Sequence, residues 1–201
     1  MSTAILEPVP LRSSIFQGER LLTAADLAAL PTSLPSGDVR YELDDGKLIV
    51  MPPPGDIHGR RQAKIVRYLD SEAEERGLGE VRAEVGIVLR RNPDRVVGAD
   101  AAFILAASLP VRRSKEGYLE TIPEIVVEVR SKNDTSNEVR AKKEEYFAAG
   151  VLLVWVLNPD DKTVAAHQPE APIRTFQTSE MLTTPLLPGF EVPVAKLFAG
   201  Q

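Results

Sequence analysis

One acidic side chain inside an apolar run is the first feature of this sequence that could do chemistry. Glu128 stands within Ile125-Val126-Val127-Glu128-Val129, a β-branched stretch of the kind that forms a buried central strand. Strand alternation sets Val127 and Val129 on one face and Val126, Glu128 and Arg130 on the other. A carboxylate held there needs a partner, either a cation such as Arg130 or a lysine, or a metal ion. Asp100, in Val96-Val97-Gly98-Ala99-Asp100-Ala101-Ala102-Phe103, opens another predicted strand. Alone it reads as a turn or cap residue. Together with Glu128 it makes two carboxylates at neighbouring strand ends, which suits a hard divalent cation such as Mg²⁺ that takes oxygen ligands and keeps several waters. Such an ion orients and acidifies water and stabilises charge on a phosphoryl group.

Lys142 lies one helical stretch further on, within Arg140-Ala141-Lys142-Lys143-Glu144-Glu145-Tyr146. A lysine reaching the carboxylate pair could hold the attacking water or neutralise the transition state. Read singly it is a surface lysine beside Glu145 or Tyr146, and Lys143 reads as plain surface.

The elements that must position these groups follow from periodicity and punctuation. Residues 1–20 show no period and read as an irregular arm, and the domain proper is expected over 21–201. Thr23 with Asp26 predicts a short capped helix over 23–30. Alternation in 39–43 and 47–51 around Asp45-Gly46 predicts an N-terminal β-hairpin. After Pro52-Pro53-Pro54-Gly55, Asp56 is expected to cap a helix reaching about Arg76, with Ile65, Tyr68, Leu69 and Ala73 at helical spacing. Two strands near 80–84 and 86–90 come next, then a turn at Asn92-Pro93-Asp94 and a strand over 100–105. Residues 106–123, with Arg112, Arg113 and Lys115, read as a surface connection. The strand at Glu128, a helix over 137–149 stopped by Gly150, and a strand over 151–157 form a strand–helix–strand unit, which implies a right-handed parallel crossover. Strands over 163–167 and 173–177 complete a C-terminal β-meander. The expected class is α/β, a mixed central sheet flanked by helices, with no internal repeat.

Composition bounds the function. The 201 residues are 43% hydrophobic and 26% charged, which is ordinary globular composition. There is no cysteine, so disulfides, thiolate metal sites and cysteine nucleophiles are excluded, and a reducing cytoplasm is the expected compartment. No apolar run approaches a membrane span, and no secretion signal is expected at the N-terminus. The net charge of −5 speaks against strong constitutive DNA binding, because phosphate neutralisation supplies most nonspecific affinity. Two basic clusters, Arg60, Arg61, Lys64 and Arg67, and Arg90, Arg91 and Arg95, read first as solvated faces.

Several stretches together resemble the Uma-type restriction endonuclease family of the PD-(D/E)XK nuclease superfamily. They are Arg40-Tyr-Glu-Leu-Asp-Asp-Gly-Lys-Leu48, Met51-Pro-Pro-Pro54 with His58-Gly59, Asp100-Ala-Ala-Phe103, Val127-Glu-Val-Arg-Ser131, Lys142 through Val151, Val154-Trp-Val-Leu-Asn-Pro159 and Leu187-Pro-Gly-Phe190. The match runs in order over roughly residues 20–198. The resemblance implies a restriction-endonuclease-like core and Mg²⁺-dependent phosphodiester hydrolysis, with Mn²⁺ as a substitute. It sets Asp100 at the aspartate of the PD motif, Glu128 at the second acidic position and Lys142 at the lysine supplied from the following helix. Glu42 and His58 fall on further family positions, where they would touch metal or a substrate phosphate. Ala99 replaces the motif's proline, Lys132 stands where proline is usual, and Arg130 takes the place of the superfamily's usual lysine. Arginine stays charged throughout the accessible pH range and cannot carry a proton, so Arg130 would be a phosphate clamp and Lys142 would take the lysine's role.

The reading is therefore a metal-dependent endonuclease acting on DNA. Asp100 and Glu128 would be the metal ligands, Lys142 would position water, and Arg130, Glu42 and His58 would sit on the substrate side. The competing reading keeps the fold as a catalytically silent nucleic-acid-binding or protein-interaction module. A homodimer, formed through the meander edge, would bring two sites to one duplex.

Overall fold

The computed structural model describes residues 20–35, 37–112, 114, 117–131 and 134–200. Nearly all of the predicted arm over 1–20 lies outside these residues, as do Arg113, Lys115 and Lys132. The first element of the described residues is α1 (Ala24–Ala28), closed at its start by a reciprocal Thr23–Asp26 capping box. A two-residue pair, β1 (Ser33–Leu34) with β2 (Gly37–Asp38), leads into the hairpin β3 (Arg40–Asp44) and β4 (Lys47–Met51). Its turn, Asp45-Gly46, carries positive φ at both residues, as a two-residue hairpin loop of this sequence requires.

Helix α2 (Asp56–Leu69) starts with Gly55 at the N-cap and no side-chain cap, so Asp56 is the first helical residue rather than the cap. A π-helical turn, Asp70–Glu74, ends it short of Arg76. The two strands expected over 80–90 are one, β5 (Gly79–Arg90), which runs against β6 (Arg95–Leu105) along almost its whole length. The strand is continuous through Glu84, whose backbone takes a left-handed φ of 47°. Then come β7 (Ile125–Val129), α3 (Ser136–Ala149), β8 (Leu153–Asn158), β9 (Thr163–His167) and β10 (Arg174–Phe176). A two-residue pair, β11 (Met181–Leu182) with β12 (Val192–Pro193), and α4 (Val194–Phe198) close the described chain.

Among the described residues the main sheet has eight strands, ordered β10-β9-β8-β7-β6-β3-β4, with β5 also pairing β6. The β7–β8 pair is parallel, joined by α3 as the crossover, and its neighbours in the sheet are antiparallel. The meander β8–β9–β10 is as expected.

Each face of the sheet buries one core. On one side α2 and α4 pack through Ile65, Leu69, Leu197 and Phe198 against Ala101, Phe103, Val127, Val129 and Trp155. Trp155 stacks on Phe190 at 5.6 Å between centroids. On the other side α3 packs through Tyr146 and Val139 against Val97, Ala99, Val126, Val154 and Val156. A third cluster seats α1 on the hairpin through Leu27, Leu43 and Val96.

These lists expose a reversal in β6. Val97 and Ala99 face α3, whereas Ala101 and Phe103 face α2. Residues two apart on a strand share a face, so the strand changes facing at Asp100. The paired strand β5 does the same, with Val85 and Ile87 on the α3 side and Val81 on the α2 side. Glu84 is the residue between the register pairs Ala83↔Ala101 and Val85↔Ala99. Its left-handed backbone is the local cause, as in a strand irregularity that re-aims a side chain.

The basic clusters are less solvated than expected. Arg61 is fully buried, and its guanidinium donates to the carbonyls of Leu197 and Ala199 at 3.3 and 3.4 Å. Lys64 donates to the Lys196 carbonyl at 3.2 Å. These side chains satisfy carbonyls at the end of α4, which cations favour. Arg95 forks onto Glu145 and donates to the Leu43 carbonyl, tying α3 to the hairpin. Arg91 bridges Asp94 and Glu120.

Candidate active site

Asp100 and Glu128 come together because a ladder ends between them. The β6–β7 pairing runs from Phe103↔Ile125 to Ala101↔Val127, and the next residues outward are Asp100 and Glu128. There the strands part, and the Val129 amide donates to Asp100 Oδ2 at 2.7 Å instead of to a facing backbone carbonyl. Asp100 thus lies in mid-strand, not at the strand start that its sequence suggested, and the change of facing in β6 brings its carboxylate to this opening.

One helix grips each carboxylate. From α2, His58 Nε2 lies 2.8 Å from Asp100 Oδ1, and one turn later Gln62 donates its amide to the Asp100 carbonyl at 2.9 Å. The hydrogen bond to Asp100 raises the His58 pKa above its ordinary value, against the opposing effect of burial. A positive charge in the first turn of a helix is otherwise disfavoured, and here the carboxylate supplies the compensation.

From α3, Lys142 and Tyr146 stand four residues apart on one helix face. Lys142 Nζ donates to Glu128 Oε2 at 3.0 Å and to the Gly98 carbonyl at 2.9 Å. Tyr146, fully buried, donates its hydroxyl to Glu128 Oε1 at 2.6 Å. The Glu128 side chain is 17% exposed. Burial, with the charge of Asp100 adding to it, pushes its pKa up to about 7, while Lys142 and Tyr146 pull the other way. Burial disfavours the charge on Lys142, but Glu128 and the neighbouring carboxylates outweigh it, so its pKa is raised. Lys142 is therefore a permanent cation and hydrogen-bond donor at neutral pH.

Glu42 joins from the hairpin. It is 7% exposed and accepts the Gly98 amide at 2.9 Å. Gly98 is thus a node, its N–H held by Glu42 and its C=O by Lys142. Arg95 stands 3.6 Å from Glu42 and reaches across to Glu145.

Of the six residues singled out in the sequence, Asp100, Glu128, Lys142, His58 and Glu42 are joined by this network. Arg130 is not brought into it. Its guanidinium donates to the Asp134 carbonyl at 3.5 Å and lines a groove on the far side of α3. The sequence reading passed over Tyr146, Gln62 and Gly98. Tyr146 was findable, because its i,i+4 spacing from Lys142 sets both on one helix face. The parts of Gln62 and Gly98 depend on backbone groups of distant strands, which no local pattern announces.

The match to known families decides membership. The model of the Uma2 family, described as "Putative restriction endonuclease", matches residues 24–195. The chain belongs to the Uma2 family. Among solved structures, this fold is similar to a crystal structure described as a putative nuclease belonging to DUF820 from Anabaena variabilis ATCC 29413. The TM-score is 0.70 at 18% identity, over 89% of this chain and 98% of that one. No curated protein matches the chain. The carboxylate–lysine network thus lies in a Uma2 family member with a nuclease-like fold. Among the described residues, no helix is long and apolar enough to cross a membrane.

Proposed function

We propose that this Uma2 chain is a Mg²⁺-dependent endodeoxyribonuclease whose centre is Asp100, Glu128 and Lys142. The observation that carries the reading is the pair of carboxylates just beyond the end of the β6–β7 ladder, close enough for Asp100 to raise the pKa of Glu128, with a lysine already fixed on Glu128. Burial and mutual repulsion leave Glu128 hard to ionise, and a cation between the two carboxylates would relieve both effects.

The donors fit such an ion. They are hard oxygens, and each engaged carboxylate oxygen keeps a further lone pair. Among the described residues, no group of three or more His, Cys, Asp and Glu side chains gathers as a metal cage. Two carboxylates with water completing the shell is the pattern that suits Mg²⁺, with Mn²⁺ as the substitute. When bound, the ion supplies Lewis-acid polarisation of the scissile phosphate and acidifies water at the site.

The chain's own residues do the rest. Two of the three Lys142 ammonium hydrogens are committed to Glu128 and Gly98, leaving the third to orient the attacking water or to meet the charge that develops on the phosphate. Because Lys142 stays protonated, it positions water but does not take its proton. His58, raised in pKa and anchored on Asp100, is placed to donate to a phosphate oxygen. In the reaction the water oxygen forms the new bond to phosphorus and gives up a proton to solvent, while the bond to the sugar oxygen breaks and that oxygen takes a proton from solvent water.

Cleavage of plasmid and linear DNA in Mg²⁺ tests the reading. Glu128→Ala and Asp100→Ala are expected to abolish it, and unchanged cleavage by Glu128→Ala would sink the assignment. Calorimetric titration with Mg²⁺ or Mn²⁺ is expected to show binding that Asp100→Ala loses. A wild-type chain that binds neither ion would instead support the silent-module reading.

A further inference from the structure

Between α3 and the strands β8 and β9 runs a groove of about 340 Å³, lined from the helix by Ser136, Val139 and Lys143. Its lining includes Arg130, Ser136, Lys143, Asn158, Asp161 and His167. In a chain with a net charge of −5, three of these six side chains are basic. The one carboxylate, Asp161, is held by the Asn158 amide at 2.5 Å. The sequence marked Lys143 as plain surface, but it is only partly exposed and lies against His167. Its Nζ is 3.1 Å from Nδ1 and 3.4 Å from Nε2 of that ring.

An ammonium set against an imidazole is an unusual arrangement, since both groups gain a proton readily and each discourages the other. Among the described residues, neither Arg130 nor Lys143 is ion-paired to a carboxylate; Arg130 has a single long contact to the Asp134 carbonyl. The cost is visible in His167. Burial and Lys143 hold His167 down to about 4, and burial lowers Lys143. Arg130 and Lys143 thus present two cations to a groove whose one carboxylate, Asp161, is held by Asn158, and an incoming anion would pair with them.

Position says which anion. Arg130 is two residues beyond Glu128 on the same strand line, about 6.6 Å along it at strand rise. A nucleic-acid strand that runs past Glu128 in that direction carries further phosphates, one per ~3.4 Å of helix axis. We propose that Arg130 and Lys143, with His167 beside them, form a phosphate-binding subsite. It would take the DNA backbone as it leaves the Asp100–Glu128 centre and passes the start of α3. The subsite rests on the nuclease reading for its substrate, but its residues lie outside the catalytic network. It gives Arg130 a phosphate contact without asking it to reach the reacting atoms.

The test is DNA binding by the full chain carrying Glu128→Ala, which cannot cleave, in EDTA over a range of salt. Fluorescence anisotropy with a labelled duplex gives the affinity and the slope of its logarithm against the logarithm of salt concentration. Adding Arg130→Ala and Lys143→Ala is expected to weaken binding roughly tenfold or more and to reduce the slope by about two, one per lost phosphate contact. The charge-keeping pair Arg130→Lys and Lys143→Arg is expected to retain the slope. Unchanged affinity and slope in the alanine pair would overturn the subsite and leave the nuclease reading standing. A parent that binds no DNA at any salt would overturn both.

Discussion

Replacing Glu128 with glutamine should change how the metal-free fold responds to pH, and the structure gives the size of the change. Glu128 ionises near 4.5 when free and near 7 in the folded chain. Below about 4.5 the carboxyl is neutral folded or unfolded and contributes nothing. Between these values the unfolded chain has released its proton while the folded chain still holds it, so stability falls as pH rises. Above about 7 the loss is complete and constant. The interval is about 2.5 units, and at 1.36 kcal/mol per unit it amounts to about 3 kcal/mol. The Glu128→Gln variant lacks this titration, so the stability of wild type minus that of the variant should decline by about that amount across the interval. Taking the difference cancels the contribution of His167, which both chains share, and any constant cost of leaving Lys142 without its carboxylate; His58 cancels except for the part of its shift that the Glu128 charge supplies. The measurement is urea unfolding in EDTA from about pH 5 to about pH 8. A difference that stays flat with pH would show that Glu128 is not held in the environment described, and would undermine its choice as the strained member of the pair.

Other substitutions probe neighbouring parts of the argument. Tyr146→Phe keeps the buried ring but removes the donor on Glu128 Oε1, and should cost roughly 1–2 kcal/mol in urea unfolding once Glu128 is charged, and less in acid. An equal cost at both ends of the pH range would mean that something other than that hydrogen bond decides it. His167 is held well below its ordinary value, so its own contribution to stability should be lost as pH falls from about 6.5 through about 4, and the stability of wild type minus that of His167→Asn should decline over that window; a difference that stays flat would refute this. Arg61 is buried with Nε and Nη2 lacking partners, so Arg61→Met should stay within about 1 kcal/mol of wild type by urea unfolding, and a loss of several kcal/mol would show that its bonds to the end of α4 matter more than its desolvation.

Much of this fold was legible because its elements are locally consistent. The Asp45-Gly46 hairpin, the Thr23–Asp26 capping box, the crossover stopped by Gly150 and the meander all rest on signals carried by a few adjacent residues. The site was legible where one residue broke its surroundings, as Glu128 does among valines. Asp100 was harder. Its importance depends on β6 changing facing at that residue, and the cause, Glu84, is on another strand. Arg130 stands outside the network for a related reason. Alternation put it on the face of Glu128, which is correct, but that face is divided by α3, and the long arginine side chain leans to the other side of the helix.

The division by α3 also explains how the centre is held. Asp100 is fixed by α2 and Glu128 by α3, and those helices pack on opposite faces of the sheet. The two carboxylates meet only because the β6–β7 ladder stops between those faces and β6 turns Asp100 into the gap. Neither helix therefore builds the site alone. A cavity in the α2 core, for example at Ile65 or Leu69, loosens His58 and Gln62 on Asp100 while leaving Lys142 and Tyr146 seated on Glu128. A cavity under α3, for example at Val126 or Val154, does the reverse. Each damages the same pair from one side, so distant core residues on either face bear on the spacing of the carboxylates, and with it on any ion that they share.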